Sequence, residues 1–379
     1  MSYETAEIVT DLASLADLAP QWRQLAVARG NAFVTPEWCF AWFERYGDHY
    51  QPLISVVRGA SGKVLGVMPL ALSTASRPRS LRFAGANLGD SFHPASGAVD
   101  EQVTAAATAV ALASSGTRWS TILLDNVPAD SPWVEALLAA LPRRPHRSTF
   151  KSASLPMIAL GGMNWEEFQS QRKRSVRRER ARCLRRLESE HEVRFRSTRS
   201  EVELDRDIDT LFNLHDLRRE QLGGSSLSSE RARSFHRTFA KRALAQGWLR
   251  LSFLEIDGEA AAAAYDWQIG SRYACYQSGF DPTWSSYGVG ALLEDYAIET
   301  AIAAGAEEFD MLLGDEAYKL RQATAVRRVE TVAAVKAWHP ARLALSAETR
   351  LRQLTQVIPA PVRQRSSGLG RHLPSARNR

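Results

Sequence analysis

Gly279–Ile298 reads GFDPTWSSYGVGALLEDYAI, and the succession of residue types in it decides the fold. A β-branched and aromatic strand ends at Phe280, an Asp-Pro turn follows, and a helical pattern opens after Gly288-Val289-Gly290. Leu292, Leu293, Tyr296, Ala297, Thr300 and Ala301 recur at three- and four-residue spacing as one apolar face, with Gly305 placed to stop the helix. Such a strand–turn–helix junction gathers backbone N–H groups and the positive helix end at one point, which binds pyrophosphate without charged side chains. Gly288 and Gly290 would let the backbone come close to the phosphates. A glycine pair at a helix start is also ordinary loop chemistry, so its surroundings have to decide.

Upstream lie three strand-like runs in a meander: WLRLSFLEI from Trp248, AAAAAYDWQI from Ala260 and RYACYQSGF from Arg272. Downstream come EEFDML from Glu307 and RRVETVAAVKA from Arg327. The glycine turn therefore follows an antiparallel meander. The chain has neither the G-x-G-x-x-G of a dinucleotide fold nor the G-K-[ST] of a P-loop there. The first half repeats the order, with LISVV, VLGVMPLAL and SLRFAG as strands, a helix over Val103–Ala113, and TILLDNV as a further strand. The reading is α/β (α+β): two tandem units over 1–160 and 161–340, each a mixed, mostly antiparallel sheet flanked by helices, then a basic tail over 341–379.

At 379 residues the chain can bury two cores, and 45% hydrophobic against 24% charged residues is a globular composition. The net charge of +6 is concentrated in the tail, where eight arginines face one glutamate, so the remaining chain is slightly acidic. This argues against a generally basic nucleic-acid binder. The three cysteines and eight histidines are scattered, so neither a disulfide framework nor a metal site is expected, and no Ser/His/Asp arrangement points to covalent catalysis. No secretory leader or long apolar run is evident, and a cytoplasmic protein without a transmembrane segment is the expectation.

Between the halves, Arg172–Arg186 holds nine basic residues and one acid, with Val176, Cys183, Leu184 and Leu187 on one helical stripe. An amphipathic helix with an arginine-rich face follows, either solvated or turned to a polyanionic ligand, with Arg178 as the substrate-side candidate.

With these elements in order, the chain resembles the GNAT acyltransferases, whose acyl-CoA loop runs Q/R-x-x-G-x-G/A between a strand and the next helix. Here the run is Ser285-Ser286-Tyr287-Gly288-Val289-Gly290: both glycines match, and serine replaces the usual Gln or Arg. FVTPEWCFAW from Phe33, VMPL from Val67, Gly279-Phe280-Asp281-Pro282, Glu308-Phe309-Asp310 and Gly314 with Tyr318-Lys319 resemble the double-domain branch. That branch is similar to the CelD-type cellulose-biosynthesis acetyltransferases and, more distantly, to the Fem aminoacyltransferases. The resemblance implies acetyl-CoA or another acyl-CoA as co-substrate, held by Ser285 to Ala291 and used without a metal. It implies an amine acceptor, a small molecule or a sugar of a cell-envelope or exopolysaccharide precursor. Tyr318, Lys319, Asp310 and Asp281 are then the catalytic candidates. Each has a structural alternative: a core Tyr, a solvated Lys, an Asx turn for Asp281, and pairing with an arginine such as Arg321 for Asp310. Asp90 and His93, in the corresponding loop of a first half without a glycine turn, are acceptor-side candidates. Two alternatives remain at this point: an aminoacyl-tRNA-dependent transferase of Fem type, and an inactive scaffold that binds polyanions.

Overall fold

A computed structural model describes residues 5–74, 79–129, 131–219, 227 and 229–335. The basic tail lies outside them. The first half runs β1 (Thr5–Val9), α1 (Ala19–Ala28), α2 (Pro36–Tyr46), β2 (Tyr50–Arg58), β3 (Val64–Ser73) and β4 (Ser80–Phe83). It continues through the short β5 (Ala95–Ser96), α3 (Glu101–Ser114), β6 (Thr121–Pro128), α4 (Pro132–Ala139) and β7 (His146–Ala159). Two helices, α5 (Trp165–Gln171) and α6 (Arg174–Glu190), lead into the second half. This comprises β8 (Val193–Ser197), α7 (Glu201–Arg219), α8 (Glu230–Ala245), β9 (Leu249–Ile256), β10 (Glu259–Ile269) and β11 (Arg272–Phe280). It ends with α9 (Val289–Ala303), β12 (Glu308–Asp310), α10 (Ala317–Gln322) and β13 (Ala325–Val335).

Apart from β5, the halves follow one plan: strand, two helices, three strands, helix, strand, helix, strand. Pairing repeats as well. The strands β1 to β4 are antiparallel neighbours and β6 joins β4 in parallel; β8 to β11 are antiparallel neighbours and β12 joins β11 in parallel. The expected tandem arrangement is thus present as a single 13-stranded sheet, ordered β1-β2-β3-β4-β6-β13-β7-β12-β11-β10-β9-β8, with the short β5 paired to β3 off this path.

The middle of that order differs from the sequence reading, which placed no strand over His146–Ala159 and let the last strand close the second half. Instead β13 lies against β6 of the first half, β7 lies against β12 of the second, and the two pair with each other. The halves have exchanged closing strands. Both strands mix small, polar and apolar residues, and such a pattern assigns side chains to faces without naming the neighbouring strand.

One core cluster spans both halves. Pro36 at the first turn and the Thr35 hydroxyl, which accepts from the Trp38 amide at 3.2 Å, start α2 and set Trp38 facing inward. Its ring meets Phe235 at 4.7 Å and Phe239 at 4.9 Å in α8, each edge-on. On the other side of the second half's sheet, Ala262 and Ala264 of β10 let Val289, Leu292 and Leu293 of α9 pack closely. No helix among the described residues is long and apolar enough to cross a membrane.

Candidate active site

The strands β11 and β12 pair only over Arg272–Ala274 and Glu308–Asp310. Beyond Ala274, β11 runs on to Phe280 paired with β10 but no longer with β12, which opens a cleft at its side. Asp281 then accepts from the Thr283 amide at 2.8 Å and caps a 3₁₀ turn over Pro282–Tyr287. Gly288 reverses the chain at φ +67°, a left-handed conformation that favours glycine. The first bonds of α9 run from the Ala291 and Leu292 amides to the Gly288 carbonyl, at 2.9 and 3.0 Å. The amides of Val289 and Gly290 precede that ladder and form the open helix end.

This end borders a chamber of about 310 Å³ whose walls include Arg180, Arg218, Asp266, Cys275 and Tyr318. A second chamber of about 470 Å³ adjoins it, sharing Gly288, Ala291, Arg180, Tyr318 and Gln322 and adding Arg172 and Phe168. Together they form a bent groove roofed by α6. The roof is fastened in two places. Arg172 pairs with Asp295 at 2.8 Å and Arg180 with Glu294 at 3.4 Å, while Gln322 donates to Glu294 at 3.1 Å. At the other end the Arg186 guanidinium lies 4.5 Å over the Tyr287 ring, and the Tyr287 hydroxyl bonds Glu190. Burial raises the Glu294 carboxyl, and Gln322 and Arg180 oppose the rise. The inward arginines are therefore paired, whereas Lys173, Arg174, Arg177, Arg178, Arg182 and Arg185 are exposed.

Of the residues singled out in the sequence, Ser285, Gly288, Val289, Gly290, Ala291 and Tyr318 meet in the first chamber. Ser286 is exposed beside them and Tyr287 turns to α6. Tyr318, 40% exposed, stands where the chambers join, with its hydroxyl pKa raised by burial. Lys319 and Asp90 form a separate cluster around one residue: Lys319 Nζ donates to the Leu313 carbonyl at 2.8 Å, and Asp90 Oδ2 accepts from the Leu313 amide at 3.3 Å. Burial pushes the Asp90 carboxyl up to about 6. The segment between β12 and α10 is contorted, Leu312 holding φ +54° while buried, a strain that packing on both sides enforces.

Four candidates stand outside the groove. Asp281 caps the 3₁₀ turn. Asp310 is buried, accepts from the Leu312 amide at 2.8 Å, and has Arg272 at 4.0 Å as its cation in place of the expected Arg321. His93 is turned into the first half beside the Pro94 carbonyl at 2.8 Å, and burial lowers its pKa to about 4, so it stays neutral. Arg178 is exposed on the outer face of α6, and the groove is lined instead by Arg172, Arg180, Arg218 and Arg321. Among the described residues no group of three or more His, Cys, Asp or Glu side chains is placed to hold a metal ion.

Sequence reasoning missed Asp266, Glu294 and Arg180. Asp266 is fully buried on β10, accepting from the Tyr273 hydroxyl at 3.2 Å and the Tyr276 amide at 3.1 Å, and burial pushes its carboxyl up to about 7. The available signal was period two: in AAAAAYDWQI, Asp266 is the acidic residue on the face that otherwise presents alanines to α9.

Comparison with known proteins agrees with this layout. The acetyltransferase (GNAT) domain model matches residues 174–320. The crystal structure of FemX superposes with a TM-score of 0.61 at 12% identity, over 82% of this chain and 95% of that one. The structure of L-PGS from Bacillus licheniformis gives 0.53 at 12% identity, over 88% and 96%. The C-terminal domain of a putative lysylphosphatidylglycerol synthetase from Agrobacterium fabrum gives 0.50 at 12%, over 92% and 98%. At these identities the likeness speaks for the fold. A search of curated proteins returns no match. Residues 174–320 match the GNAT acetyltransferase domain, and the chain as a whole has the double-domain fold of these structures.

Proposed function

We propose that the chain transfers an acyl group, acetyl in the simplest case, from acyl-CoA to an amine by direct attack on the thioester. The observation that carries this reading is the open end of α9 at Gly288, bordering the chamber that Arg180, Arg218 and Tyr318 also line. The residues fit a pyrophosphate: two amides outside the helix ladder, a left-handed glycine that leaves the approach clear, and a nearby guanidinium. When bound, acyl-CoA supplies an activated acyl carbon and a thiolate leaving group. Val289 and Gly290 would hold the diphosphate, and Tyr318 would give its hydroxyl proton to the departing thiolate. Lys319 and Asp90 would face the acceptor. In this reading residues 161–340 are the donor-binding unit, residues 1–160 are a cofactor-free unit on the acceptor side, and the protein works in the cytoplasm. Resemblance to the CelD-type proteins supports a sugar amine of an envelope or exopolysaccharide precursor as acceptor.

The test is isothermal titration of the full chain with acetyl-CoA at moderate salt. Micromolar binding is expected, and absence of binding removes the acyl-CoA reading. Tyr318→Phe is expected to lower kcat about 100-fold with donor affinity unchanged, the low end of what a positioned proton donor contributes. Lys319→Ala is expected to raise the acceptor KM about tenfold, the loss of one charge-assisted hydrogen bond. Steady-state kinetics read both.

A second reading takes aminoacyl-tRNA as donor. It is favoured by the outer face of α6, where five arginines in twelve residues (Arg174, Arg177, Arg178, Arg182 and Arg185) are exposed beside the groove, an electrostatic footprint for a phosphodiester backbone. Binding of bulk tRNA that falls steeply with salt, together with no affinity for acetyl-CoA, would select it.

A further inference from the structure

Among the described residues, three of the four carboxylates with less than a tenth of their surface exposed come with a guanidinium. Glu37 has Arg23 at 2.6 Å, Asp207 has Arg196 at 2.7 Å, and Asp310 has Arg272 at 4.0 Å. Asp266 is buried as completely, and among the described residues it forms no ion pair with Lys, Arg or His. It borders the chamber of Gly288 and Tyr318. A buried carboxylate without a counter-charge is costly, so such a group stays neutral or meets a cation that arrives from outside.

Groups on every surrounding element leave that position unfilled. From β11, Tyr273 and the Tyr276 amide donate to the carboxyl, and Cys275 lies opposite it in register. From α9, Glu294 brings a like charge. Arg218 of α7 is spent on the Ser278 hydroxyl at 2.7 Å, and Arg180 of α6 on Glu294. Arg250 of β9, opposite in register, turns its guanidinium to the Gly247 and Leu249 carbonyls. Tyr318 of α10 completes the chamber wall.

We propose that the Asp266 carboxyl group is where the acceptor's ammonium group docks, and that it takes the proton that frees the amine for attack. This rests on the acyltransferase reading above and deepens it by naming a protonated primary amine as the acceptor class. In the step, the ammonium gives one proton to the Asp266 carboxylate. The freed nitrogen lone pair forms the C–N bond to the acyl carbon, and the C–S bond breaks with its electron pair going to sulfur. Tyr318 protonates the thiolate and recovers its proton from the nitrogen as the amide forms, and the proton on Asp266 leaves to solvent.

The alternative role for Asp266 is architectural. Tyr265 faces Gln277 and Asp266 faces Cys275, so Tyr276 is the extra residue of a β-bulge whose amide Asp266 satisfies. An asparagine oxygen accepts that bond equally well, so Asp266→Asn keeps the bulge and removes the proton acceptor. With burial holding the carboxyl near 7, the group is neutral below that pH and cannot take a proton. The wild-type kcat/KM should therefore fall as pH drops through about 7.

The full chain is assayed with acetyl-CoA and glucosamine as probes. D266N is expected to bind acetyl-CoA as wild type does, to lose about 100-fold or more in kcat/KM, and to lose the acidic limb. Wild-type turnover with the limb intact overturns the proposal. A second measurement does not depend on the donor: carboxyl ¹³C NMR of aspartate-labelled protein titrated with methylammonium chloride, with sodium chloride as control. A shift of the Asp266 resonance by methylammonium alone is expected. No response overturns the docking role, whereas absence of acetyl-CoA binding counts only against the donor reading.

Discussion

Replacing Gly288 with aspartate is expected to weaken acetyl-CoA binding about 100-fold while the far-UV circular dichroism stays that of the wild type. A 100-fold loss corresponds to about 2.8 kcal/mol. Two effects contribute, and they can be separated. The φ of +67° penalises any residue with a Cβ by roughly 1 to 2 kcal/mol, aspartate being among the more tolerant. The carboxylate adds repulsion: two unit charges about 4 Å apart interact by about 4 kcal/mol at an effective dielectric of 20, less with salt. Space is not limiting, because the nearest atom to a Cβ at this position is Cys183 Sγ at 3.9 Å. Gly288→Ala carries the backbone strain without the charge and should lose about tenfold. Equal losses in the two variants would show that conformation alone is at stake, and the phosphate assignment would fall.

Trp38→Ala is expected to cost about 3 to 5 kcal/mol of stability, measured by chemical denaturation followed by circular dichroism. The side chain is completely buried. Besides its two α8 contacts it meets Phe33 at 4.9 Å, Trp267 at 6.2 Å and Tyr276 at 6.3 Å, so one ring from the first half is enclosed largely by aromatics of the second. Against a total stability of about 5 to 15 kcal/mol, the loss would take a large share. Trp38→Phe, which keeps most of the apolar area, should cost less than half as much. Near-equal stability of Trp38→Ala and wild type would mean that this junction contributes little to joining the halves.

Local patterns carried the sequence reading a long way. The run of three strands, a helix and a strand in each half, the helix over Val289–Ala303 and the turn at Gly288 all depend on residues within a few positions of one another. What escaped depends on distant partners. The period of Arg172–Arg186 shows an apolar stripe and a basic face, but nothing in it announces that Arg172 and Arg180 meet Asp295 and Glu294 more than a hundred residues away. Asp310 was weighed against Arg321, nearby in the chain, whereas the parallel register of β11 and β12 brings Arg272 to it. Asp266 was one acid in an apolar strand, and its lack of a cation shows only when its surroundings are assembled. The exchange of β7 and β13 is invisible locally, since the strand each one pairs with lies far away in the chain.

That exchange also bears on how the chain is made. When β6 leaves the ribosome, the strand that will cover its edge lies about 200 residues behind it in the chain. At about 5 to 20 residues per second this is a wait of roughly 10 to 40 s. During it the nascent first half presents an unpaired edge, the kind of surface on which other chains add. β7 meanwhile has neither of its final neighbours. Closure of the sheet must await the arrival of β13, so the nascent protein passes through a long interval in which shielding by a chaperone would be of most use.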